Sequence, residues 1–372
     1  MRSTIVAACA VSICLAAGLP APAQTLTTLY NFTGGPDGSG PQGVTIHDTA
    51  LYGATFTGGS NGLGTVFAFD LHKVREKTLY SFQGGADGAQ PLTGVVYRAG
   101  KVYGTTSQAG QLGTGTVFAI DVATGQETTL YNFSGPLDAE PDALTISNNT
   151  LFGTTGQNGQ NGYGIAFAID LTTGKEKTLH AFRSLRKGRT PAGSVLSANG
   201  VLFGTTSAGG KGCGQTGCGT LYRLDAKTQS FERLLAFSSP VGARPSGTLA
   251  LQNDIIYGTT QTGGANSTGA VFAYPITGGA ASSYAVGGSP SFGVVYNMGF
   301  LYGSHNIQNG NPGSLFSVNL ATGAITDVYT FTGGADGRSP GPLVSKGGIL
   351  YGVTAAGGTT NAGTLFSFSP TH

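Results

Sequence analysis

Residues 79–129 read LYSFQGGADGAQP (79–91), LTGVVYRAGKVYGTT (92–106) and, after a glycine-rich loop, GTVFAIDVATGQETT (115–129). Seven versions of this unit fill the chain from Leu29 onward, with copies starting near 29, 79, 130, 179, 234, 283 and 328. The LYGTT landmark keeps Gly at its third position in every copy: Gly53, Gly104, Gly153, Gly204, Gly258, Gly303 and Gly352. The 344 residues from Leu29 to His372 divide into copies of about 49. Each copy holds four short aromatic or β-branched runs bounded by Gly, Asn or Asp, which is the pattern of strands and hairpins. A period of roughly 40–50 residues with several strands per copy predicts propeller blades.

The ends of the array bear on closure. The repeats open with Leu29-Tyr30-Asn31-Phe32, a fourth strand, and stop after Gly363-Thr364-Leu365-Phe366, a third strand. Joining the two completes the last blade and covers an exposed sheet edge. The expectation is an all-β, seven-bladed β-propeller of four-stranded blades, closed by the N-terminal strand. A linear solenoid is the alternative, against which the complementary ends argue.

Residues 1–23 combine Arg2, an apolar run from Ile5 to Leu19 and the small-residue site Ala21-Pro22-Ala23. They read as a secretory signal peptide, leaving 24–372 as a single propeller domain. The apolar run is too short for a membrane span, so a soluble protein, periplasmic or extracellular, is expected. Without Arg2 the chain carries 18 basic and 17 acidic residues. Such a balance gives no reason to expect nucleic acid or an anionic membrane as partner. Cys213 and Cys218, in KGCGQTGCG, are expected to form a local disulfide in an exported protein. Two cysteines without a nearby His supply only half a zinc shell, so no metal site is assigned there.

The motifs LYGTTxxGG, GTVFxxDxxTG and LYxFxGGxDGxxP resemble the tandem repeat of the choice-of-anchor GloVer-containing proteins, over residues 26–370. The resemblance implies an exported bacterial repeat protein, with no biochemical role attached. Members often carry C-terminal sorting segments, and Ser369-Pro370-Thr371-His372 shows no such pattern. The repeat is distantly similar to kelch and quinoprotein blades, which place Trp in the outer strands. This chain has no Trp and uses Phe32, Phe82, Phe133, Phe182, Phe237 and Phe331 instead. A quinone cofactor is therefore not expected.

Candidate site residues fall on the face where loops from fourth to first strands meet the loops after LYGTT. Asp37, Asp87, Asp138 and Asp336 occupy four neighbouring loops. A carboxylate ring there would take calcium or a cationic ligand. The simpler account is that Asp-Gly makes each turn. Apart from calcium on that ring, no cofactor is expected. Departures from the repeat are more informative. Arg183, Arg186, Lys187 and Arg189 replace GGxDG in one loop, and Arg244 joins them in the next. They are candidates for binding carboxylate, sulfate or phosphate on a polymer, or form a solvated loop. His305 stands where the other copies carry Thr and is a candidate base or ligand, or an inter-blade side chain.

These residues favour a monomeric binding or scaffold propeller whose top face takes a polysaccharide or a surface protein. Two alternatives stay open. One is a propeller-based polysaccharide lyase or glycoside hydrolase drawing on Asp138, Glu140, His305 and the arginines. The other is a purely structural cell-surface protein.

Overall fold

A computed structural model describes residues 24–134, 141–156, 162–305 and 310–371. The signal-peptide assignment and the Asp138 and Glu140 candidates lie outside the described residues. Among the described residues, twenty-eight strands form five four-stranded sheets and one eight-stranded sheet, in a propeller-like arrangement. In the first sheet the strands run Ser39–His47, Ala50–Thr57, Thr65–Asp70 and Arg75–Ser81, each antiparallel to the next. The eight-stranded sheet is two such runs joined by one parallel bridge, Thr248 to Gly293. Strand Thr25–Asn31 pairs antiparallel with Thr364–Ser369, as the outer strand of the last sheet. Among the described residues no helix is long and apolar enough to cross a membrane.

The glycine of LYGTT has a partner in every sheet. Directly across from Gly53, Gly104, Gly153, Gly204, Gly258, Gly303 and Gly352 stand Phe67, Phe118, Phe167, Tyr222, Phe272, Phe316 and Phe366. None of these glycines has a positive φ, so backbone freedom does not explain them. The ring of the partner lies over the glycine: a Cβ there would sit 2.3 to 2.7 Å from a ring or hydroxyl atom. Only a residue without a side chain leaves room for the ring.

That ring is also the contact between sheets. The Phe that closes each LYxF packs edge-on against the third-strand aromatic of the following sheet. Phe32–Phe67, Phe82–Phe118, Phe133–Phe167, Phe182–Tyr222, Phe237–Phe272 and Phe331–Phe366 have centroids 4.9 to 5.6 Å apart. Edge-to-face pairs at this distance contribute roughly 0.5–1.5 kcal/mol beyond the area they bury. Where the sixth copy degrades, Val286 packs in one cluster with Phe316. Phe32 follows the strand that completes the last sheet, and Phe67 belongs to the first, so these two sheets share a core.

Within sheets, polar groups at the strand ends are tied as regularly. The last Thr of LYGTT meets the Thr of GTVF at 2.8–2.9 Å in the pairs Thr55–Thr65, Thr106–Thr116, Thr206–Thr220 and Thr354–Thr364. Thr65, Thr116 and Thr364 then donate to the carbonyls of Asp37, Asp87 and Asp336. The Asp-Gly loops are thus pinned to the ends of the strands below them. In six copies the proline that leads the first strand seats on a glycine of the preceding sheet. Pro91 sits on Gly64, Pro245 on Gly219 and Pro41 on Gly363, where a Cβ would come within 2.5–2.7 Å.

The glycine–ring contact predicts a sharp contrast between two substitutions. Gly104→Ala forces a Cβ against the Phe118 ring and is expected to cost about 1–3 kcal/mol. Gly287→Ala, with nothing within 4 Å and an ordinary φ, is expected to be near neutral. Urea midpoints of the two variants check this; equal midpoints would discard the ring-over-glycine account.

Candidate functional site

The first strands of the sheets surround a cavity of about 680 Å³. Its wall includes the residue that follows the repeat's leading proline: Gln42, Leu92, Asp142, Ala192, Ser246 and Ser291. The proline is constant and seats the strand, while the next residue differs almost from copy to copy. Sequence reasoning passed over this position, although variation beside a constant Pro was the visible signal. Gly156, Thr190, Ser207, Arg244 and Gln261 line the end of the cavity beside the LYGTT loops. Asp142 and Arg244 are the charged side chains in the described lining, and Ser246 Oγ is buried without a hydrogen-bond partner among the described residues.

Arg244 holds a left-handed backbone, φ 57°, as do Gln90, Thr190 and Ser339, the residues before proline in other copies. A non-glycine residue there carries strain of order 1 kcal/mol. Its N–H is used between sheets: Arg244 N donates to Cys218 O at 2.8 Å, as Gln90 N does to Leu63 O and Ser339 N to Pro312 O. Cys218 is buried and joined to Cys213 by the disulfide, with Cα atoms 5.1 Å apart. The disulfide loop therefore holds the carbonyl that positions Arg244.

The other arginines do not reach this wall. Arg183, Arg186 and Lys187 are exposed on their loop, where the Arg186 carbonyl accepts a hydrogen bond from Arg233. The Arg189 guanidinium lies over the Tyr163 ring, 5.5 Å from its centroid. The structure thus brings Arg244 alone of this set to the cavity.

The aspartates are engaged in their own turns. Asp87 accepts from Tyr80 OH at 3.0 Å, Gln83 N at 2.7 Å and Gly85 N at 3.1 Å. Asp37 accepts from Tyr30 OH and Thr33 N, and Asp336 from Tyr329 OH and Thr332 N. Burial, reinforced by these carboxylates, pushes the tyrosine hydroxyls upward, Tyr329 to about 12. The phenols stay protonated and donate. No group of three or more His, Cys, Asp or Glu side chains suited to a metal occurs among the described residues.

His305 is buried inside the sixth copy, opposite Ser314 and against the Phe316 ring at 4.7 Å. It occupies the place of the threonine that ties the loops in other sheets. Its Nε2 has no partner among the described residues. Burial holds it below the usual histidine range, with Asp327 opposing. It is not among the residues lining the cavity.

A ring-like set of four-stranded sheets around a cavity defines a propeller-like repeat protein. The sequence profile of the Gloeobacter/Verrucomicrobia repeat matches residues 19–215 and 148–366, and the chain belongs to that family. No match is found among curated proteins. Solved structures that share the fold include these three. The extracellular domain of a protein described as a hybrid two-component system from B. thetaiotaomicron aligns with TM-score 0.62 and 10% identity, covering 93% of this chain and 39% of that one. An oligogalacturonate lyase from Vibrio parahaemolyticus aligns at 0.59 and 10%, covering 92% and 93%. A chain of the mitotic checkpoint complex aligns at 0.59 and 11%, covering 99% and 98%. At these identities the likeness is one of fold.

Two groups between sheets titrate with opposite consequences. His180 stacks on Phe231 at 3.9 Å, and burial, then Lys187 and Arg183, lower its pKa from 6.5 to about 4. Its protonation disfavours the folded state, so stability is lost as pH falls from 6.5 towards 4. Glu76 is pushed up from 4.5 to about 7, chiefly by burial, with the Thr78 hydrogen bond opposing and Asp37 adding. Its ionisation disfavours the folded state, so stability is lost as pH rises from 4.5 towards 7. In urea unfolding across this range, Glu76→Gln is expected to steepen the gain in stability with pH. His180→Phe is expected to flatten it. Slopes equal to wild type in both variants would show that neither group titrates this way.

Proposed function

We propose that the chain is an exported, closed seven-bladed propeller acting as a binding module, with a hydroxyl-rich glycan segment taken at the mouth of the central cavity. The blade count and closure rest on the seven first strands around one cavity, the Thr25–Asn31 pairing, and the Phe32–Phe67 and Pro41–Gly363 contacts. Export rests on the disulfide and on the character of residues 1–23. The observation that carries the binding role is the polar side of the wall: Gln42, Thr93, Thr248 and Ser291 present amide and hydroxyl groups. Such groups exchange hydrogen bonds with sugar hydroxyls. Arg244 adds a fixed cation at the mouth and Asp142 an acceptor. An acid–base reaction would need two titrating groups converging on one bond. His305 does not line this wall, which leaves catalysis without that partner among the described residues.

The test is binding of residues 24–372 to a glycan array, with and without calcium. Arg244→Ala is expected to weaken the bound glycan by about tenfold, the scale of one charge-assisted hydrogen bond. Changing Arg183 and Arg186 to Ala is expected to leave it nearly unchanged. Unaltered affinity in Arg244→Ala would remove the mouth as the site. Absence of binding to any glycan would favour the structural surface role. Dependence on calcium would bring the Asp37, Asp87 and Asp336 loops back as a cation site.

A further inference from the structure

A second cavity, about 450 Å³, lies between the first two sheets, at the end of the strands away from the LYGTT loops. Its floor is apolar, with Ala50, Ala68, Leu79 and Val122, and Tyr52 stands at its side. Its rim carries Lys73, Arg75 and Lys77, with Asp70 as the opposing charge. Lys73 Nζ pairs with Asp70 Oδ2 at 3.4 Å, while Arg75 and Lys77 have no ion-pair partner among the described residues. Two positive charges are thus in excess over a volume within the ordinary range of ligand sites.

Two departures from the repeat lie at this groove or in the turn beside it, next to a basic pair. In register, Ala50 faces Asp70, which faces Arg75; Tyr52 faces Ala68, which faces Lys77. Arg75, Lys77 and Leu79 therefore share one face of the strand. The residue at the place of Ala50 is larger elsewhere: Lys101, Thr150, Val201, Ile255, Phe300 and Ile349 begin the corresponding strands. The third copy also has two lysines, Lys175 and Lys177, but there Thr150 stands in place of the alanine. Finally, the turn that carries Lys73 keeps Val74 at φ 50° and 63% exposed, where the second, third and sixth copies use Gly125, Gly174 and Gly323 and the fourth uses Gln229 at φ 60°. A β-branched residue in this conformation is an outlier.

We infer that this groove is a second binding site, distinct from the central cavity, for an acidic polysaccharide carrying anionic groups on successive sugars. The apolar floor accepts the C–H face of a sugar ring, and Arg75 and Lys77 meet two anionic groups. Arg supplies a planar fork for one carboxylate and Lys a point charge for the other. The site makes no use of Arg244 or Asp142, so its failure and the failure of the mouth are separable.

Isothermal titration of residues 24–372 with a mannuronate tetramer tests it, with cellotetraose as the neutral control. Wild type is expected to bind the acidic tetramer and not the neutral one, more weakly as salt rises. The Arg75→Gln, Lys77→Gln double variant is expected to lose roughly tenfold or more in affinity. Ala50→Ile, the residue of the fifth and seventh copies, is expected to close the groove and weaken binding comparably with all charges kept. The Lys175→Gln, Lys177→Gln double variant, which removes the matching basic pair of the third copy, is expected to bind as wild type. Unchanged melting temperatures for these variants confirm that the fold is retained. No binding of the acidic tetramer, equal binding of cellotetraose, or wild-type affinity in the double variant would overturn the proposal. So would binding, through Arg75 and Lys77, to anionic lipid vesicles but not to the tetramer.

Discussion

An aromatic ring laid across a glycine is the constraint on which the other contacts depend. The glycine lets the third-strand ring lie flat over the second strand. The same ring then presents itself to the Phe arriving from the preceding sheet. One side-chain position thus sets both the packing within a sheet and the spacing between sheets. Leucine has no flat face to lay over the glycine. The fourth copy tests the tolerance of the arrangement: Tyr222 replaces Phe, and its hydroxyl ends against Gly204 with no partner among the described residues. The substitution fits sterically and leaves a buried hydroxyl unsatisfied, at a cost of roughly 1–3 kcal/mol.

Repetition divides the chain into positions committed to the fold and positions that are not. The Asp of Asp-Gly, the threonine pairs, the glycines under rings and the leading prolines each have a partner that recurs from copy to copy. Their chemistry is used internally. The remaining freedom is concentrated at the residue after proline, at the residue before it, and in the turns between third and fourth strands. The central wall draws on the residues either side of proline, and the inter-sheet groove takes Lys73 from such a turn.

Much of this was legible before any coordinates. The period, the landmark glycines and the strand-like runs pointed to the all-β propeller-like arrangement, because turns and alternation are local properties. The Cys213–Cys218 pairing was legible for the same reason. What the sequence could not display was register. Nothing local tells that Gly104 faces Phe118, so the invariant glycine had no evident cause. The arginine loop attracted attention because it broke the pattern. Yet Arg183 and Arg186 point to solvent, and Arg189 is occupied by Tyr163. Arg244 reaches the cavity because its N–H is held by Cys218, which is 26 residues earlier in the chain. Asp142 was passed over because a single acid beside a proline has no motif.

The pairing of Thr25–Asn31 with Thr364–Ser369 has a mechanical side. Thr25 lies opposite Ser369, and Asn31 opposite Thr364. The chain therefore enters and leaves this strand pair at the same end. A load drawn between the two ends would act first on the Thr25–Ser369 rung and open the hydrogen bonds one after another, as a zipper opens. Strands pulled in opposite directions along their length would instead share the load across all their bonds. A load applied between one end and the body of the propeller-like fold would spare this strand pair. A load across both ends would make it the first element to yield, before any of the internally hairpin-connected sheets feels the force.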